Sequence, residues 1–106
     1  MTAFSETIAR LSAVIASRKG SDPASSYTAK LLADGPQRVA KKLGEEAVET
    51  ALAAVSGDKA AIAAESADLI YHWLVLLAAT GVELDAVAEQ LQAREGRSGI
   101  EEKASR

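Results

Sequence analysis

With 106 residues the chain has room for one hydrophobic core and not for two. A hydrophobic fraction of 48% with only 4% aromatics favours helices rich in Ala, Leu and Val over strands, which draw on β-branched and aromatic side chains. A net charge of −3 lacks the basic footprint of a general nucleic-acid binder, and the absence of cysteine excludes disulfides, thiolate metal sites and a thiol nucleophile.

Phe4, Ile8, Leu11 and Ile15 recur at helical spacing and predict a first amphipathic helix ending near Arg18. Its apolar and polar residues alternate at that spacing, unlike a signal peptide. The polar stretch Lys19 to Ser25 reads as a loop. A short helix is expected from about Ser26 to Ala33, with Tyr27 and Leu31 on one face. Asp34-Gly35-Pro36 then starts a long helix running to about Ser56, which Gly57 can end in the left-handed conformation. Asp58 suits the cap of a third long helix, Lys59 to about Thr80, terminated by Gly81. Leu84, Val87, Ala88 and Leu91 form the stripe of a last helix ending near Glu95-Gly96. The expected organisation is one domain over 1–106, with 97–106 a mobile tail. The longest apolar run, Leu69 to Ala79, is interrupted by His72 and is about half of the roughly 20 residues that span a membrane, so a cytoplasmic protein without membrane contact is expected.

The third long helix is apolar around most of its circumference, through Ile62, Leu69, Ile70, Trp73, Leu74, Val75, Leu76 and Leu77. Such a helix demands burial, and a chain this small achieves it best by pairing with a second copy. The predicted fold class is all-α: a helical hairpin whose four-helix core is completed by homodimerisation.

Four acidic residues stand at mirror distances from the turn, Glu46 and Glu49 before Gly57 and Glu65 and Asp68 after it. Both helices of an antiparallel hairpin rise about 1.5 Å per residue, so Glu49 falls level with Glu65 and Glu46 level with Asp68. Either pair alone is an ordinary solvated pattern; the symmetry and the apolar flanks Val39, Leu43, Ala47, Val48, Leu52 and Val55 point instead to a carboxylate cage. Clustered carboxylates repel unless a cation neutralises them, and hard oxygen donors select Mg²⁺, Mn²⁺ or Ca²⁺. We assign Glu46, Glu49, Glu65 and Asp68 as metal ligands. Lys30, Arg38, Lys41 and Lys42 precede the cage as candidate phosphate contacts. His72, one turn beyond Asp68, is read as a substrate or carboxylate contact and is left out of the metal ligands.

Ser26-Tyr-Thr-Ala-Lys-Leu-Leu32, Lys41-Lys-Leu-Gly-Glu-Glu-Ala-Val-Glu49, Glu65-Ser-Ala-Asp-Leu-Ile-Tyr-His72 and Arg94-Glu-Gly-Arg-Ser-Gly-Ile100 closely resemble the phosphoribosyl-ATP pyrophosphohydrolase family of histidine biosynthesis. The ExxE and ExxD pairs are shared more loosely with the MazG-like all-α nucleotide pyrophosphohydrolases, whereas the Ser26 segment, the paired lysines and the Gly-Ile tail look particular to the histidine-pathway enzymes. The resemblance covers most of the chain from Ser26 and is weak over the first helix. It implies Mg²⁺-dependent hydrolysis of 1-(5-phosphoribosyl)-ATP to phosphoribosyl-AMP and pyrophosphate, with Mn²⁺ a possible substitute, and it carries the same four metal ligands onto this chain. Glu45 is the extra carboxylate of the motif. Glu45 or Glu46 would accept a proton from the attacking water, Glu45 being favoured, while Arg38, Lys42 and the tail residues Arg97 or Lys103 would stabilise the departing pyrophosphate. Rival expectations are a house-cleaning (deoxy)nucleoside triphosphate pyrophosphohydrolase of the same fold and a noncatalytic helical dimerisation module. A di-iron bundle is disfavoured, since its Glu-x-x-His spacing is missing.

Overall fold

The computed structural model describes residues 2–96; the tail 97–106, with Arg97 and Lys103, lies outside the described residues. Five helices, and no strand among those residues, make the protein all-α: α1 (Thr2–Ser17), α2 (Tyr27–Asp34), α3 (Pro36–Ser56), α4 (Lys59–Thr80) and α5 (Leu84–Ala93).

The centre of the molecule is the α3–α4 hairpin. Pro36 opens α3, where a missing backbone N–H costs nothing. Gly57 ends it at φ 76°, the left-handed conformation a side chain disfavours. Asp58 restarts the chain by accepting from the backbone N–H groups of Ala60 at 3.0 Å and Ala61 at 3.2 Å. The chain therefore reverses within two residues, and α4 runs back antiparallel along α3. This is the most extensive helix pair in the molecule.

α1 and α2 cover one side of the hairpin. Ile15, Leu31, Val39, Leu74 and Val75 form the buried cluster, and Ile8, Leu11, Trp73 and Leu84 pack around it. The stripe predicted for α1 is realised at Ile8, Leu11 and Ile15, but Phe4 lies beyond the end of the core and remains exposed. In α2, Ser26 caps the helix by accepting from the Ala29 N–H at 3.1 Å. Leu31 is buried, whereas Tyr27 is exposed because it sits at the first helical position, past the edge of the core. Glu83 precedes α5 without a side-chain cap, and α5 buries none of its residues.

The other side of the hairpin is uncovered. Val48, Leu52 and Val55 are 60%, 64% and 86% exposed. Leu43, Ala47, Leu69, Ile70 and Trp73 line an open apolar groove of about 420 Å³. By length and composition alone α4 is long and apolar enough to cross a membrane, because its alanine-rich first half extends the run counted from Leu69. Core helices of soluble proteins share that property, and α4 carries Glu65 and Asp68 near its middle.

Candidate active site

The antiparallel return of α4 brings Glu46, Glu49 and Glu65 together, one carboxylate oxygen of each lying within 4.8 Å of the others. Glu49 presents its carboxylate to both Glu46 and Glu65. Burial pushes the Glu46 carboxyl above the usual range, and the neighbouring Glu49 carboxylate pushes it further, outweighing His72. Burial also raises Glu65, with the charges of Glu49 and Asp68 next. Asp68 is exposed and stands outside the close trio, near enough to act on Glu46 and Glu65 through its charge.

Oε2 of Glu46 and Oε2 of Glu65 are closed to solvent and have no hydrogen-bond partner. A buried carboxylate oxygen without a partner is costly. Hard, anionic oxygens converging from two rigid helices form a donor set suited to a divalent cation such as Mg²⁺ or Mn²⁺.

The remaining site candidates are distributed around this trio. Lys42 pairs with Glu45 at 3.2 Å, one turn before Glu46. The Glu45 hydrogen bond is the largest of the influences that raise the Lys42 ammonium, followed by Tyr27. Glu45 thus faces Lys42 and is not part of the close trio. Lys30 pairs with Asp34 at 3.6 Å on α2, and Arg38 is exposed on the first turns of α3.

His72 is 5% exposed, so it is enclosed rather than presented to a groove. Its Nδ1–H donates to the Asp68 carbonyl at 2.8 Å, and Nε2 lies 3.3 Å from the Tyr27 hydroxyl. In the neutral ring, Nε2 accepts from that hydroxyl. Tyr71 meets His72 edge-on with centroids 4.9 Å apart, and its hydroxyl bonds to that of Thr28. Burial raises the Tyr71 phenol, opposed in part by Thr28. Sequence reasoning singled out the segment Ser26 to Leu32 but missed that Tyr27 and Thr28 tie α2 to α4. The signal available was a pair of hydroxyl residues at the start of one helix and the pair Tyr71-His72 on another.

Thr50 was also missed. It hydrogen-bonds the Glu46 carbonyl in its own helix and the Glu65 carbonyl across the hairpin. Its place directly after Glu49 was visible in the sequence; the crossing bond was not.

Residues 8–95 match the family model for phosphoribosyl-ATP pyrophosphohydrolase. The chain belongs to the phosphoribosyl-ATP pyrophosphohydrolase family. It is 67% identical over 103 residues to a phosphoribosyl-ATP pyrophosphatase of Caulobacter vibrioides (strain NA1000 / CB15N), covering 97% of this chain and 95% of that one. A phosphoribosyl-ATP pyrophosphatase of Methylobacterium radiotolerans is 61% identical over 106 residues, 100% of this chain and 97% of its own. The corresponding protein of Parvibaculum lavamentivorans is 58% identical over 106 residues, again 100% and 97%. The phosphoribosyl-ATP pyrophosphohydrolase match thus takes in both arms of the hairpin and every residue of the acidic group.

Proposed function

We propose that this protein hydrolyses 1-(5-phosphoribosyl)-ATP between its α and β phosphates, releasing phosphoribosyl-AMP and pyrophosphate in the second step of histidine biosynthesis. The observation that carries the reading is the three-carboxylate group on the hairpin, with its two unpartnered oxygens, in a chain of this family. Glu46, Glu49 and Glu65 would hold Mg²⁺, or Mn²⁺ in its place, with Asp68 joining from the rim. The cation would neutralise phosphate oxygens and make a bound water more acidic.

The chain's own groups supply the rest. Lys42, flanked by Glu45 and Tyr27, offers a cation to the triphosphate, and Arg38 offers a bidentate fork from the same helix. Glu46 is committed to the buried group, which leaves Glu45 to accept the proton of the attacking water on the carboxylate oxygen that Lys42 does not engage. Lys30, Arg97 and Lys103 are assigned to the substrate phosphates, and His72 supports the site from beneath by fixing the Asp68 carbonyl. No covalent intermediate is needed.

The assembly we propose is a homodimer in the cytoplasm. Val48, Leu52 and Val55 together with the groove along Trp73 offer an apolar face on the hairpin, and a second hairpin would complete a four-helix core.

Pyrophosphate release from phosphoribosyl-ATP, with ATP and dCTP in parallel and each with Mg²⁺ or chelator, tests the activity. Metal-dependent turnover of the adduct alone is expected. Turnover of the free triphosphates in its place would assign a house-cleaning role, and inactivity toward all three would return a noncatalytic dimerisation module.

A further inference from the structure

A threonine inside a helix ordinarily turns its hydroxyl back to the carbonyl four residues earlier, and that bond stays within the helix. Thr50 does this with Glu46 at 2.8 Å, but a second acceptor, the Glu65 carbonyl of α4, lies 3.1 Å from the same oxygen. A helical carbonyl retains a free lone pair for such a contact, so the one hydroxyl proton is shared between two helices. The two carbonyls belong to two members of the carboxylate trio, and Thr50 is covalently joined to the third, Glu49. One side chain thus bonds to the backbone of Glu46 and Glu65, from the residue that follows Glu49 in the chain.

This part of the hairpin packs mostly through small side chains. Past Glu46 the buried residue of α3 is Ala53, and before Leu69 the half-buried positions of α4 other than Glu65 are Ala61, Ile62 and Ser66. Methyl side chains form shallow ridges and grooves, so sliding one helix along the other by a fraction of a turn displaces little packed volume. The large buried side chains of α4, Leu74 and Val75, lie more than two turns beyond Glu65. A directional bond at the level of the trio supplies what the alanines do not.

We propose that Thr50 is a positioning residue that holds α3 and α4 in the register at which Glu46, Glu49 and Glu65 converge, and so sets the affinity of the site for a divalent cation. This rests on the metal-site reading above. Its action is through the backbone, so it predicts an effect on metal binding in the absence of substrate.

The test is calorimetric titration of Mn²⁺ into metal-free wild type, Thr50→Val and Thr50→Ser, with thermal melts of each in chelator. Valine keeps the shape and removes the hydroxyl; serine keeps the hydroxyl. Thr50→Val is expected to weaken Mn²⁺ binding about tenfold, the scale on which loss of a group supporting a metal ligand is felt, while Thr50→Ser stays within about twofold of wild type. A purely structural role would lower the melting temperature in chelator and leave Mn²⁺ affinity unchanged. Equal affinities for wild type and Thr50→Val, or equal weakening by both substitutions, would overturn the proposal while leaving the metal site intact. Failure of wild type itself to bind Mn²⁺ would overturn the metal-site reading and this inference together. Thr50→Ala, a better helix former, replaces Thr50→Val if the latter loses its helical signal.

Discussion

Glu46 and Glu65, on opposite arms of one hairpin, each turn an Oε2 atom into a space closed to solvent where neither finds a hydrogen-bond partner. Such a pair stores unfavourable electrostatics in the metal-free fold, and relief of that cost links cation binding to stability.

Both carboxyls are raised by burial and by Glu49. The native chain therefore keeps protons that the unfolded chain has released, and the contribution of these groups to stability falls as pH rises from the ordinary carboxylate range through the raised native values. In chelator, the difference in Tm between wild type and Glu65→Gln should consequently grow in favour of the variant from about pH 5 to about pH 7.5. Millimolar Mg²⁺ should raise the wild-type Tm more at the higher pH. A difference that is constant across this range would contradict the assignment.

Glu65→Gln should also be nearly inactive while remaining helical. A loss exceeding about 100-fold in kcat/KM is expected, beyond what removal of a supporting partner costs. Glu46→Gln should match it. Steady-state pyrophosphate release across a Mg²⁺ series, with circular dichroism of each variant, measures both properties.

Tyr27→Phe removes the hydroxyl that faces Nε2 of a histidine only 5% exposed. A buried polar atom left without its partner costs about 1–3 kcal/mol, and the 3.3 Å separation places this case near about 1 kcal/mol. Urea denaturation in the presence and absence of the substitution gives the value. No change in midpoint would show that water replaces the hydroxyl.

Leu52→Glu would place a charge in the middle of the exposed apolar face of α3. Light scattering after size exclusion should find wild type at twice the chain mass and the variant shifted toward one. Val82→Glu, at a residue 44% exposed beyond the end of α4, should leave the mass unchanged. A wild type that runs as a single chain would remove the dimer from the proposal.

The hairpin was legible in advance because its signals are local: a glycine able to adopt positive φ, an aspartate able to cap, and acidic residues counted outward from that turn. Counting placed Glu49 beside Glu65. It set Asp68 level with Glu46, whereas the structure leaves Asp68 exposed at the rim, since being level along an axis does not fix where a side chain points around it. His72 was legible only in part, since its bond to Asp68 lies within one helix and its bond to Tyr27 does not. Helical spacing put it on the face of Glu65, while its actual environment depends on Tyr27, 45 residues away in sequence, which no periodicity reveals. The stripe of α1 was readable, but which of its members the other helices cover, Ile15 fully and Phe4 not, is a property of the assembled fold.

The two-residue turn at Gly57-Asp58 acts as the origin of a ruler. Every added or deleted residue between it and Glu65 would swing that carboxylate by about 100° and shift it by about 1.5 Å against Glu49. A compensating change in the other arm would be required at the mirrored position to restore the match. The connection from Arg18 to Ser25 holds no member of the acidic group, so no such match has to be kept along it. Length variation in this chain should therefore be tolerated ahead of α2 and refused between Glu46 and Asp68, and the spacing of the acids, as much as their identity, is what the hairpin encodes.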